Sequence, residues 1–209
     1  MRLRNIKGAD EYVNSSAYVL KDYESLNGNF KSVFKNNNPI HLEIGTGKGD
    51  FIIGMALKYP NINFIGVEKY ASVLYKLIGK IENMDIPNLK IIMMDATDID
   101  KIFNHEIDTL YLNFSDPWPK ERHYKRRLTS SEFLKRYENI FKGNNHIIQK
   151  TDNRGLFEFS LKEFVLNGYK IEDISLDLHN DDCPSNVETE YEKKFSAKGN
   201  PIYKVEVKK

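Results

Sequence analysis

A chain of 209 residues with 40% hydrophobic and 12% aromatic content is large and apolar enough to bury one substantial core, and too short for a second full domain. Its 31 basic residues stand against 30 acidic ones, for a net charge of +1, so affinity for nucleic acid has to come from clustering of charge and not from the total. The single Cys183 excludes an internal disulfide and a Cys-x-x-Cys metal site and fits a reducing, cytoplasmic setting, while no apolar run approaches the roughly 18 residues that span a bilayer, so no membrane association is expected.

Residues 1–38 carry Tyr12, Tyr18, Val19, Leu20, Tyr23, Leu26 and Phe30, too many apolar side chains for a disordered tail and at spacings that fit no single helix. They predict an extension packed on the domain proper, which spans 39–209. Arg2, Arg4 and Lys7 read either as a basic arm or as an ordinary flexible terminus. From Ile40 onward, short β-rich runs alternate with segments of helical spacing, the pattern of parallel strands joined by crossover helices. Strands are predicted at Ile40–Ile44, Ile62–Val67, Leu89–Met94, Thr109–Asn113, His146–Lys150, Lys170–Leu176 and Ile202–Val207. Helices are predicted to start near Gly49, Ala71, Asp98 and Ser130, with another over Asn153–Asn167. The fold class expected is α/β, a doubly wound, mostly parallel seven-stranded sheet with helices on both faces. Asp98 and Ser130 read as helix N-caps, and Gly143-Asn-Asn145 as punctuation between elements.

The first strand runs into Glu43-Ile-Gly45-Thr-Gly47-Lys-Gly49-Asp-Phe51, a glycine-rich turn of the kind that lets a ligand approach the backbone. Such turns also serve helix–strand packing alone. The dinucleotide spacing G-x-G-x-x-G is not met, because the third position counted from Gly45 falls on Asp50. A carboxylate at Glu43 sits poorly beside a pyrophosphate and well beside the sulfonium and amino group of S-adenosylmethionine, so the pattern favours the methyl donor over NAD. Glu68, ending the second strand, is placed to accept from both ribose hydroxyls of an adenosine, and Asp95, ending the third, from an adenine amino group. Taken singly, each also reads as a turn- or helix-capping acid, Asp95 more readily than Glu68. Ligands of open α/β sheets bind outside the carboxyl ends of the strands, which predicts Glu43, Glu68 and Asp95 along one crevice.

After the fourth strand, Asn113-Phe-Ser-Asp-Pro-Trp-Pro-Lys120 contains two X-Pro steps that are expected to hold Asp116 and Trp118 extended and to stiffen the turn. The next stretch, Lys120-Glu-Arg-His-Tyr-Lys-Arg-Arg127, sets five basic residues against Glu121. It reads as a phosphate-binding loop or as a solvated charge run. Trp118 and Tyr124 offer faces for base stacking, with core packing the alternative for Trp118. Thr151-Asp-Asn153 either caps the next helix, touches substrate, or does both. The histidines at 41, 105, 123, 146 and 179 form no pair at ligand spacing, so no metal is expected.

The Asp-Pro-Trp-Pro-Lys run with its basic continuation resembles the tRNA (guanine-N7-)-methyltransferases. The resemblance extends through Glu43-Ile-Gly-Thr-Gly-Lys-Gly49, Gly66-Val-Glu68, Lys150-Thr-Asp-Asn-Arg-Gly-Leu156 and Thr189-Glu-Tyr-Glu-Lys-Lys-Phe195, nearly the whole chain. It implies a Rossmann-like class I methyltransferase fold, S-adenosylmethionine as donor, tRNA as partner, and methylation of guanine 46 in the variable loop, by a monomer or a homodimer. By the same resemblance Glu43, Glu68, Asp95 and Asp116 bind the donor beside Gly45 and Gly47, with Asp116 also in the catalytic position. Lys120, Asp152, Thr189, Glu190, Tyr191 and Glu192 fall at substrate-contacting positions, and Arg122, Lys125, Arg126 and Arg127 at RNA-contacting ones. Two rival readings are a methyltransferase for another RNA or a small molecule, and a noncatalytic RNA-binding protein. The basic loop beside the crevice argues against a small substrate, and the intact acidic positions argue against a noncatalytic remnant.

Overall fold

The computed structural model describes residues 6–181 and 183–209; Arg2 and Arg4 of the basic arm lie outside them. Seven strands form one sheet: β1 (Ile40–Ile44), β2 (Asn63–Glu68), β3 (Leu89–Met93), β4 (Ile107–Asn113), β5 (Phe141–Thr151), β6 (Lys170–Ser175) and β7 (Tyr203–Lys208), in the order β3-β2-β1-β4-β5-β7-β6. β7 runs antiparallel to β5 and β6, and the other pairings are parallel. This is the doubly wound α/β sheet expected from the alternation of apolar runs. The central strands β1, β2 and β4 are buried almost end to end; β2 and β4 accordingly carry apolar stretches at Phe64–Val67 and Leu110–Leu112, whereas β1, Ile-His-Leu-Glu-Ile, alternates apolar and polar residues although both its faces are covered.

Successive side chains point to opposite faces, and the sheet accordingly carries two cores. Phe64, Ile91 and Tyr111 face a core completed by Phe51, Ile52 and Met55 of α3 (Asp50–Lys58) and Leu74, Leu77 and Ile78 of α4 (Ala71–Ile81). Leu42, Ile65 and Leu110 face the other, with Ile99 of α5 (Ile99–Ile102), Phe133, Leu134 and Tyr137 of α6 (Ser131–Ile140), and Phe157 and Phe164 of α7 (Arg154–Leu166). The N-terminal segment supplies both. Helix α1 (Ala9–Ser15) sends Val13 into the first core, and Val19 makes a parallel bridge to Ile91 at the β3 edge. Phe30, just before α2 (Lys31–Phe34), is fully buried in the second, its N–H and that of Gly28 received by the Glu106 carboxylate at 2.8 and 2.9 Å.

Three local expectations change. Asp98 and Ser130 occupy the N-cap positions of α5 and α6, but neither side chain caps. The first N–H of α6 is taken instead by Glu163 of α7 at 2.6 Å, a tertiary acceptor that local sequence does not reveal. Strand β5 runs straight through Gly143-Asn-Asn145, because Ile107 pairs with Phe141 across a register shift that lets the ladder start early. An eighth helix, α8 (Glu190–Ser196), starts in a capping box in which Thr189 accepts from the Glu192 N–H and Glu192 accepts from the Thr189 N–H.

Candidate active site

The strand order reverses between β1 and β4, and the carboxyl ends of β1, β2, β3, β4 and β5 share one edge. A crevice opens at such a reversal. Gly45 (φ 80) and Gly47 (φ 57) carry left-handed backbone, and a Cβ added at either would meet nothing within 4 Å, so the turn presents bare backbone to open space. At Gly49 a Cβ would lie 2.6 Å from Leu77 Cγ, so that glycine serves the packing of α3 on α4. The turn therefore serves packing at Gly49 and leaves bare backbone facing open space at Gly45 and Gly47. Gly45 N donates to Val67 O at 2.8 Å, and Glu68 accepts from Gly47 N at 3.2 Å, which ties the turn to β2.

Glu43 is 2% exposed. Its Oε1 accepts from Asn113 Nδ2 at 2.8 Å, but among the described residues its Oε2 has no partner, nor do the buried Asn113 Oδ1 and Thr46 Oγ1. Burial pushes the carboxyl up to about 8, against the opposing pull of Asn113 and the Lys150 cation. Buried acceptors without donors are rare in folded proteins, and three at one strand-end crevice fit a ligand that brings N–H groups and positive charge, as the ammonium and sulfonium of S-adenosylmethionine do. Glu68 accepts from Lys69 N (2.8 Å) and Tyr70 N (3.1 Å) as well as Gly47 N. Burial raises its pKa, those N–H groups lower it, and the charge of Asp116 raises it again. Asp95 accepts from Thr97 N at 3.0 Å, capping the following turn, and pairs with Lys69 Nζ at 2.5 Å, the main cause of its lowered pKa.

The loop after β4 holds Asp116 exposed at the edge of the crevice. Phe114 (φ 50) and Trp118 (φ 42) are left-handed, so Trp118 is not in the extended conformation expected before a proline. Its ring lies against the Arg126 guanidinium, 4.9 Å from centroid to Cζ, and edge-on to His123; it is half-exposed and belongs to neither core. Lys120, Arg122, Lys125 and Arg126 are exposed around a 3₁₀ turn over Glu121–Arg126, with Lys125 paired to Glu132. Arg127 departs from the expected RNA contact. Its guanidinium turns inward, donating to Pro117 O (2.9 Å) and Trp118 O (3.1 Å).

Beyond β5 the expected substrate residues divide into two sets. Tyr191 is exposed, its hydroxyl 3.3 Å from Asp152 Oδ2 and its ring stacked on Phe195 and 5.1 Å from Phe114. Glu190 pairs with Lys48 of the glycine turn, which brings α8 to the crevice. Asp152, Glu190 and Tyr191 thus line its mouth. Glu192 is fully buried and does not: its oxygens receive Lys150 Nζ (2.6 Å), Asn186 Nδ2 (2.8 Å) and the Thr189 N–H. Thr189 likewise has its hydroxyl committed to the helix cap. Both hold α8 in place in this structure, Glu192 fully buried and Thr189 partly exposed. Lys150, buried on β5 and lying over the Phe51 ring, went unassigned from sequence although Lys150-Thr-Asp-Asn is one of the distinctive runs. Asn113 was missed as well. Among the described residues no group of three His, Cys, Asp or Glu side chains could hold a metal, and no helix is long and apolar enough to cross a membrane.

A methyltransferase family model matches residues 37–205. The chain is 51% identical over 207 residues to a tRNA (guanine-N(7)-)-methyltransferase of Lachnoclostridium phytofermentans, covering 98% of this chain and 97% of that protein. Among solved structures, the 16S rRNA methyltransferase KamB superposes with a TM-score of 0.67 at 13% identity, over 86% of this chain and 92% of its own. Fibrillarin of Aeropyrum pernix, in complex with S-adenosyl-L-methionine, gives 0.55 at 16% identity, over 89% and 73%. The two structural likenesses establish a shared fold.

Proposed function

The chain belongs to the tRNA (guanine-N7-)-methyltransferase family, and from that premise we propose that it transfers a methyl group from S-adenosylmethionine to N7 of guanine 46 in the variable loop of tRNA. The observation that carries the choice of donor is Glu43, a buried carboxyl group one oxygen of which has no partner among the described residues, beside a bare glycine turn. S-adenosylmethionine supplies the electrophilic methyl group when bound. Glu43 and Asn113 would hold its amino end, Glu68 its ribose, and Asp95 its adenine edge.

Guanine N7 carries an in-plane lone pair, so no proton has to leave before attack, and the chain needs no general base. Its tasks are orientation, which supplies up to roughly 7–11 kcal/mol in favourable cases, and negative charge near a base that becomes cationic. Asp116 stands at the crevice edge to do both. Asp152 and Glu190 are acceptors for the guanine N1–H and exocyclic amine, and the Phe114–Tyr191 pair offers a ring face to the base. Lys120, Arg122, Lys125 and Arg126 would meet phosphates. The deciding experiment is transfer of a labelled methyl group to unmodified tRNA, followed by chemical cleavage at N7-methylguanine. Strand scission at position 46 is expected. Label on another atom, or cleavage elsewhere, overturns the assignment.

A further inference from the structure

Of the five cations in the loop from Lys120 to Arg127, four are exposed and Arg127 is not. We infer that Arg127 is a positioning residue that fixes the Asp116–Trp118 loop, and that it does not bind RNA phosphate; this rests on the function proposed above for that loop. Its Nε and Nη2 donate to two successive carbonyls, Pro117 O at 2.9 Å and Trp118 O at 3.1 Å. Those carbonyls belong to the two peptides on either side of Trp118, where the ring nitrogens at 117 and 119 leave the Trp118 N–H as the one backbone donor of the Pro-Trp-Pro segment. A planar guanidinium fork can meet two adjacent acceptors at once, whereas a lysine offers one point charge on a flexible stem. The fork is itself held, its Cζ 4.3 Å from the Phe159 ring centroid on α7.

Two features show that the loop needs such a clamp. Trp118 has φ 42, a conformation that a bulky side chain keeps only when its surroundings over-determine it. Asp116 adjoins the clamped peptide and its charge reaches Glu68, so a loosened loop would displace the acid relative to the donor site. The clamp also links the loop to α7, whose N-cap Asn153 directly follows Asp152.

The chain contains one tryptophan, and it is Trp118, so intrinsic fluorescence reports the loop directly and needs no catalysis. In Arg127→Lys we expect lower fluorescence anisotropy and stronger acrylamide quenching, and a fall in single-turnover methylation on the order of 10²-fold, the typical effect of a small misplacement of reacting groups. The tRNA affinity and its log–log salt slope should stay at the wild-type values, whereas Arg122→Ala should flatten that slope by roughly 0.7–0.9. Phe159→Leu, which keeps the charge and removes the support, should reproduce the fluorescence change in part. An Arg127→Lys protein with a flattened slope and unchanged Trp118 signal would make Arg127 a phosphate contact and overturn the inference. So would a variant with wild-type rate and fluorescence. Failure of the wild-type protein to methylate tRNA would instead count against the proposed function and leave the fluorescence test standing.

Discussion

Among the described residues Glu43 has one oxygen tied to Asn113 and one with no partner, and burial raises its pKa from 4.5 to about 8, with the charge of Glu68 adding to the rise and the Asn113 hydrogen bond and Lys150 charge opposing it. Between those two values the folded chain keeps a proton that the unfolded chain has released. The neutral carboxyl therefore contributes stability that is complete below about 4.5 and is lost as pH rises through about 8. A cationic donor favours the ionised form, so its binding should expel that proton. At pH 7, calorimetry in two buffers of different ionisation heat should show nearly one proton released per S-adenosylmethionine bound by the wild type and none by Glu43→Gln. Equal release by both proteins would remove Glu43 from the donor site. Asp116 is tested by a different quantity. Asp116→Asn keeps the size and loses the charge, so the single-turnover rate at saturating donor and tRNA should fall by about 10²–10³ while tRNA affinity stays near the wild type. A near-normal rate would make the acid structural.

Helix α8 shows how an element can be anchored far from its own sequence. Glu192 closes the capping box and also receives Lys150 Nζ from a position 42 residues earlier, with Asn186 filling the other oxygen. Removing one member of a buried pair strands the other, at a cost of about 3–5 kcal/mol, while replacing both with apolar side chains is often neutral. Lys150→Met should thus lower the denaturant midpoint strongly, and Lys150→Met/Glu192→Leu should recover much of the loss. Equal destabilisation in single and double variants would show that the pair is not the anchor. The same pair marks the boundary of what the sequence made legible. Strands β2 and β4 were readable because burial on both faces leaves an apolar stretch, β1 because Ile40, Leu42 and Ile44 alternate with polar residues, and Glu43, Glu68 and Asp95 because strand ends converge by topology. Thr189-x-x-Glu192 carried a local helix-start pattern, but its specificity as a motif pointed to substrate. Only the tertiary partner Lys150 reveals its burial. Trp118 was misjudged for a similar reason: the local rule for residues before proline yields to a clamp from Arg127.

Across the whole molecule the charges nearly cancel, so the field that meets tRNA is set by arrangement. Carboxylates at 43, 68, 95 and 116 lie along the crevice, and exposed cations at 120, 122, 125 and 126 lie in the loop directly after Asp116. The acids suit a cationic donor and a base that becomes cationic. They would repel a phosphate backbone, and the cations beside them supply the compensating attraction. The two groups should therefore separate experimentally, one governing donor binding and the other governing salt-dependent RNA binding. Lys125 is already paired with Glu132, and Arg127 is committed to the loop carbonyls, which leaves Arg122 and Arg126 as the arginines available to phosphates. The double variant Arg122→Ala/Arg126→Ala should flatten the log-affinity versus log-salt slope for tRNA by roughly 1.4–1.8, the sum of two phosphate contacts at about 0.7–0.9 each, and should weaken affinity most at low salt. S-adenosylmethionine binding should not change, since neither side chain touches the glycine turn or its three acids. Filter binding across a salt series, with donor calorimetry alongside, measures both quantities. A slope that matches the wild type would mean that these arginines are solvated charges, and the RNA path would have to be sought elsewhere, with Lys193, Lys194 and Lys198 around the exposed Tyr191 end of α8 the next cations to test.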